Sequence, residues 1–281
     1  MKWRVILHLC GVCVAVIGLL AIIKGGRSMF AKGETYGIAG EAITVTTPIS
    51  ELKIDWISGG IDIGVHDGLD VVFSEESNRE LSEKQRLRYT VDGERLTISF
   101  CAPGINFGVN ANKRLTVLLP RKALELVNID NVSGEVRMAG ITAEEIKVET
   151  VSGKLTLDSI AADTLRINAV SAAANIVLSA PPQLLKMDSV SGHCELALPE
   201  GCGFTAQMDS VSGKLRCDFA DVQGGKKLVY GDGAASLGFN SVSGHVEISF
   251  AEPAPVVSVP TAVPAATKEA GDTAPASGRS F

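Results

Sequence analysis

One tripeptide recurs through the C-terminal half of this chain at nearly constant spacing. It reads Val132-Ser133-Gly134, Val151-Ser152-Gly153, Val170-Ser171-Ala172, Val190-Ser191-Gly192, Val211-Ser212-Gly213 and Val242-Ser243-Gly244. The steps between copies are 19, 19, 20, 21 and 31 residues. A unit of that length cannot bury a core alone, so a fixed period near 20 means stacked units. A seventh relative, Ile57-Ser58-Gly59, stands alone upstream.

The flanks give the geometry. Apolar residues sit five and three positions before each Val: Val127/Ile129, Ile146/Val148, Leu165/Ile167, Leu185/Met187, Ala206/Met208 and Leu237/Phe239. They sit two and four after each Gly or Ala: Val136/Met138, Leu155/Leu157, Ala174/Ile176, Cys194/Leu196, Leu215/Cys217 and Val246/Ile248. Both patterns have period two, so each unit carries two strands with one buried face. Between them lies a Ser-Gly corner, where glycine suits a positive φ or a close backbone approach. Ala172 breaks the rule and predicts a locally different corner. At about 4.8 Å per coil, the six coils build a rod of roughly 25–30 Å with two facing sheets. The expectation is an all-β chain: a β-solenoid, single-stranded β-helix-like, with two strands per coil of ~20 residues.

The last step leaves about eleven extra residues beyond the ~20-residue period. Turn residues surround Leu228-Val229-Tyr230 there, predicting an inserted excursion, a hairpin on the solenoid flank. Residues 33–122 are also β-rich. Leu52–Ile57 and Ile61–Val65 alternate, Asp92-Gly93 joins a hairpin of Leu87–Val91 and Leu96–Phe100, and Leu115–Pro120 reads as a strand ended by proline. This segment is read as the opening coils, blunting a bare solenoid end. Ser82–Arg86 reads as a helical turn or loop. Four regions follow: an anchor and linker over 1–32, opening coils over 33–122, the repeat solenoid over 123–250, and a disordered Pro/Ala-rich tail over 251–281. The tail holds five of the eleven prolines.

Val5–Ile23 is a run of 19 residues, apolar except for His8. At ~1.5 Å per residue it reaches roughly 28 Å, the thickness of a bilayer core. It exceeds the ~7–15-residue apolar region of a cleaved signal peptide, and the best exit is spoiled by Arg27. The reading is an uncleaved single-pass anchor, with residues 5–23 in the cytoplasmic (inner) membrane and the body outside. The net charge of −6 hides a split: residues 1–32 hold five bases and no acids, the remainder 21 bases and 32 acids. A body this acidic is not a general nucleic-acid binder. Aromatic content of 5% leaves little for stacking bases or sugars.

Signals of catalysis are weak. Six serines at one corner (Ser133, Ser152, Ser171, Ser191, Ser212, Ser243) are better explained as hydroxyls bonding turn backbone than as nucleophiles, because a nucleophile is needed once with a base beside it. No metal site or cofactor is implied by ligand spacing. Cys10 and Cys13 read as apolar filler in the membrane run. Cys101, Cys194, Cys202 and Cys217 lie in the body, with Cys194 and Cys217 expected to point inward in adjacent coils, as core thiols or as a bridge. His193 and His245 each follow their glycine and face outward, two coils or roughly 9.6 Å apart if Lys214 occupies the coil between them. That is too far to share a metal, and with His66 they read as solvated surface residues.

The clearest polar signal is a column two before each Val: Asp130, Glu149, Asn168, Asp188, Asp209 and Asn240. In register, Asp130/Glu149 and Asp188/Asp209 would each place two carboxylates about 4.8 Å apart, repelling by about 0.9 kcal/mol in water. The plain reading is a solvated ladder with splayed side chains. The sharper one is a weak Ca²⁺ site on Asp130, Glu149, Asp188 and Asp209.

Leu52–Gly59, Leu115–Pro120, the Val-Ser-Gly series and Tyr230-Gly231-Asp232-Gly233 together resemble the bacterial β-strand-repeat family known as the putative adhesin domain, a domain of unknown function. The resemblance covers residues 45–250. It implies a β-solenoid outside the cytoplasmic membrane, often after one N-terminal helix, with no established catalytic residues to carry over. The expected function is therefore a membrane-anchored, non-catalytic binding or structural module of the cell envelope, with a protein or polysaccharide partner. A polymerising bactofilin-like scaffold is the alternative. A polysaccharide-active β-helix enzyme fits less well.

Overall fold

A computed structural model describes residues 35–36, 40–103, 112–217 and 227–251. The expected anchor over 5–23 and the tail from residue 252 lie outside the described residues. Among the described residues no helix is long and apolar enough to cross a membrane.

The described chain is all-β. Its strands are β1 (Thr35–Tyr36), β2 (Ile43–Val45), β3 (Glu51–Trp56), β4 (Gly59–His66), β5 (Val71–Ser77), β6 (Arg88–Asp92), β7 (Arg95–Ser99), β8 (Lys113–Pro120), β9 (Leu124–Ala139), β10 (Thr142–Leu178), β11 (Leu184–Leu198), β12 (Phe204–Ser210), β13 (Lys214–Cys217), β14 (Lys227–Tyr230), β15 (Ala235–Ser241) and β16 (His245–Phe250). Ser82–Arg86 holds a single 3₁₀ turn over Glu83–Gln85, closed by a capping box between Ser82 and Gln85.

The repeats stack in parallel. Ile146 lies beside Val127, Val148 beside Ile129 and Leu155 beside Val136. One repeat further on, Leu165 lies beside Leu185 and Ile176 beside Leu196. Each chain segment runs up one wall, turns at its Val-Ser-Gly corner and continues along the other, so β9, β10 and β11 are long, bent strands. β10 alone spans 37 residues, close to two coils. The period-two alternation drives this arrangement. Inward side chains such as Leu52, Val127, Ile146, Leu165 and Leu185 are fully buried in one continuous cluster. Each contributes roughly 1.5–3 kcal/mol relative to exposure.

The corner glycines explain why the tripeptide recurs. Gly134 and Gly153 adopt φ of 121° and 136°. A Cβ on Gly134 would fall 1.7 Å from the Gly59 carbonyl oxygen, and one on Gly153 would fall 1.8 Å from the Gly134 oxygen. Each corner therefore rests on the backbone of the corner below it. The seventh tripeptide does not stand alone: Ile57-Ser58-Gly59 is the first rung of the same column, with β3 and β4 both paired to β9. Ala172 takes its place between Gly153 and Gly192 without a positive φ. The last two corners differ again, since Ser210 Oγ and Ser241 Oγ accept the Gly213 and Gly244 N–H groups at 2.6 and 2.7 Å.

Stacking does not follow chain order at the C-terminal end. The final coil, β15–β16, slides between β11 and the preceding coil, β12–β13. The expected excursion supplies β14, which pairs antiparallel with β12 rather than forming a hairpin of its own, and covers the β12 edge of that end. The N-terminal end repeats the device. The coil β3–β4 lies between β9 and a further parallel pair, β7 and β8. Antiparallel strands β1 and β6, and β2 and β5, then blunt the stack. The Asp92-Gly93 hairpin is present as expected, with Gly93 at φ 59°.

Candidate functional site

The order of the coils redraws every surface column. The acidic ladder runs Asp55, Asp130, Glu149, Asn168, Asp188, Asn240, Asp209. Asp188 and Asp209, expected to be neighbours, are separated by Asn240, whose Nδ2 donates to Asp188 Oδ1 at 2.6 Å. Asp55, which the repeat count did not include, joins Asp130 and Glu149 instead. Three carboxylates thus occupy consecutive rungs about 4.8 Å apart. The four positions named as a Ca²⁺ candidate do not form one group. Among the described residues no three His, Cys, Asp or Glu side chains converge as metal ligands.

Asp130 feels this crowding most. Burial pushes its carboxyl up to about 7, with Asp55 and Glu149 adding repulsion and Lys53 opposing them. Its side chain is only 13% exposed, and Lys53 Nζ stands 3.7 Å from it and 3.3 Å from Asp55. Two positions nearer the strand start runs a second column with Lys53, Asn128, Lys147, Arg166 and Lys186. Lys186 reaches Asp188 at 2.8 Å, while Lys147 and Arg166 clasp Glu145 at 3.1 and 3.0 Å. Burial would raise the Glu145 carboxyl, but these two cations outweigh it and lower it. This wall is therefore an outward face ruled in parallel acidic and basic lines. Its side chains are held in place by the backbone ladder beneath them.

Two of the six corner serines place their hydroxyls on turn backbone. Ser133 Oγ donates to the Ile57 carbonyl at 3.2 Å and Ser212 Oγ to the Val242 carbonyl at 3.3 Å. Ser152 lies in register beside Ser133 and Ser171 beside Ser191, and the Ser243 N–H donates to the Val190 carbonyl at 3.1 Å. Gly134, Gly153, Gly192, Gly213 and Gly244 line the same column.

The opposite wall carries a second revision. His193 and His245 are direct neighbours, and Lys214 lies beyond His245, not between them. The thiols separate in turn. Cys194 lies beside Val246, whose other neighbour is Leu215, and Cys217 lies beside Ile248. Cys101, Cys194 and Cys202 carry free thiols, and burial pushes the Cys194 thiol up to about 12. His66 rests on the Asp70 carbonyl at 2.7 Å.

The N-terminal cap holds a group that no motif announced. Lys113 and Glu75 are both 0% exposed and form an ion pair at 2.5 Å. Lys113 Nζ also donates to the carbonyls of Gln85 and Phe100 at 2.9 and 2.5 Å, and lies 4.3 Å from the centre of the Phe100 ring. Glu75 Oε1 accepts the Leu87 N–H at 2.8 Å. Burial lowers the Lys113 pKa and Glu75 opposes that shift. Every donor of the ammonium is directed at protein, so the pair staples the cap and offers no free group to a substrate.

The family model described as Toastrack DUF4097 matches residues 49–259. The chain is similar in fold to the crystal structure of a putative cell adhesion protein from Clostridium sporogenes, at 16% identity over 78% of this chain and 99% of that one, with a TM-score of 0.48. It is similar also to a putative adhesin from Bacteroides fragilis, at 11% identity over 78% and 98% with a TM-score of 0.36. A third likeness is to a putative lipid binding protein from Parabacteroides distasonis, at 11% identity over 75% and 96% with a TM-score of 0.31. No curated protein matches.

Proposed function

The chain belongs to the Toastrack DUF4097 family, and on that premise we propose that it is a non-catalytic interaction module, tethered to the bacterial inner membrane through residues 5–23 and working outside the cytoplasm. The observation that carries the reading is the charge-ruled wall. Seven consecutive rungs present Asp55, Asp130, Glu149, Asn168, Asp188, Asn240 and Asp209 in a line, beside a line containing Lys53, Lys147, Arg166 and Lys186. A rigid flat face of this kind recognises a partner by matching charge along its length, with little ordering cost on its own side. The partner is an envelope protein or polysaccharide with complementary spacing.

The polymerising bactofilin-like scaffold is less well supported. End-to-end growth needs open parallel edges, and antiparallel strands cover β7 and β8 at the N-terminal end and β12 at the other.

A reporter active only after export, fused behind Phe281, tests the address. Activity is expected in intact cells. Activity only from a cytoplasmic reporter at the same site contradicts the reading. Crosslinking in intact membranes then tests the face. A partner captured by the native chain should be lost when Lys147, Arg166 and Lys186 are changed to Glu. Equal capture by that variant contradicts the role of this wall.

A further inference from the structure

The pairing of β11 with β16 places two imidazoles and two carboxylates in a square on the outer wall. His193 lies beside His245 and Glu195 beside Glu247. In-register parallel neighbours point to the same side about 4.8 Å apart, and residues two apart on one strand share that side. His193 and Glu195 touch directly, with Nε2 3.3 Å from Oε1.

We propose that His193 and His245 form a surface site for a divalent transition metal of the copper–zinc type, with Glu195 orienting one ligand. Imidazole suits these ions, and two donors about 2.0–2.1 Å from one metal are within reach of side chains on adjacent rungs. A carboxylate only accepts, so the Glu195 contact favours the tautomer with the proton on Nε2 of His193. Nδ1 is then left with its lone pair, as in a carboxylate–histidine–metal arrangement. Glu195 is itself held on its far side by Asn175 Nδ2 at 3.3 Å, and Glu247 by Arg216 at 3.5 Å. The two carboxylates are thus engaged by protein partners, the two imidazoles are the protein ligands, and water completes the coordination.

The flanks define the site further. On the far side of His193 stands Ala173, which leaves room. On the far side of His245 stands Lys214, whose ammonium opposes a cation. His193 is 44% exposed, so metal reaches it without opening the fold.

The test uses the full chain without an affinity tag, solubilised in detergent and titrated with Cu²⁺. Paramagnetic resonance should show a single bound Cu²⁺ with hyperfine structure from two imidazole nitrogens. His193→Ala or His245→Ala should each abolish the two-nitrogen pattern and weaken binding at least tenfold. Glu195→Gln should weaken it by about tenfold, the usual scale for a group orienting a ligand. Lys214→Gln should strengthen it. His8→Ala and His66→Ala, which remove the other histidines, should change neither measure. A two-nitrogen spectrum that persists in His193→Ala or His245→Ala overturns the assignment, as does the absence of binding to the native chain at micromolar Cu²⁺.

Discussion

From Leu124 to Leu198, successive coils are spatial neighbours, whereas at both ends of the stack they are not. In the centre, the end of one coil enters the next through a few residues around Gly140, Ser159 or Ser179, which leaves the chain no choice of neighbour. At the C-terminal end, the 31-residue step supplies slack, and the last coil enters between its two predecessors. The N-terminal cap does the same with β3–β4 between β9 and β7–β8. The rung interface is generic: a backbone ladder and an apolar inward pattern that any coil satisfies. Identity of the rung is encoded by the repeat, and order is set by the length of the connections.

The largest contrast to test lies in the corners. Gly134→Ala forces a Cβ to within 1.7 Å of the Gly59 oxygen at a positive φ, and should cost on the order of 4 kcal/mol or abolish folding. Gly244→Ala meets the Ser241 side chain first, at 2.6 Å, with no positive φ to strain it. It should cost about 1 kcal/mol. Chemical unfolding of both variants measures the gap, and equal losses would mean that the central corners are not in close contact.

Next comes the cap against the apolar centre. Lys113→Met leaves Glu75 charged and buried, and should cost about 3–5 kcal/mol. Adding Glu75→Gln, which keeps an acceptor for the Leu87 N–H, should restore most of that. A double variant no more stable than the single one would show that the ammonium's bonds to Gln85 and Phe100, rather than the orphaned charge, hold the cap.

A smaller effect is expected from pH. The Asp130 carboxyl is pushed up to about 7 from 3.8 in the fold. A carboxyl raised on folding contributes stability below its unfolded value and loses that contribution as pH rises through its folded value. Stability should therefore fall between about pH 4 and pH 7 through this group. Asp130→Asn should flatten that slope and gain about 1 kcal/mol near pH 8. An unchanged slope would remove Asp130 as its source. The smallest effect is kinetic: Cys194, buried with its thiol pushed up to about 12, should resist maleimide in the native chain while Cys101 reacts. Rapid modification of Cys194 would mean that the β11–β16 wall opens.

Much of the fold was legible because the signal is local. Alternation around each corner placed Val127, Ile146, Leu165 and Leu185 in the core, and Asp92-Gly93 marked its hairpin. What stayed hidden is non-local. Asp55 could not be added to the ladder without knowing that Ile57-Ser58-Gly59 stacks on Val132-Ser133-Gly134. His193 and His245 looked distant because neighbours were counted in chain order. The Lys113–Glu75 pair joins residues far apart in sequence, and a lysine at the start of a strand ordinarily reads as solvated. A legible hint existed for the inserted C-terminal coil, since among the six repeats the long step is where the chain has the length to reach past its predecessor.

Interstrand amide cross-relaxation in the perdeuterated full chain reads the order of the coils itself, because parallel rungs lie about 4.8 Å apart. Cross-peaks should link residues 193–198 with 245–250, and 245–248 with 214–217. None should link 193–198 with 214–217. Direct cross-peaks between those last two segments, with the final coil outside them, would mean that the coils stack in chain order and that β15–β16 is not inserted.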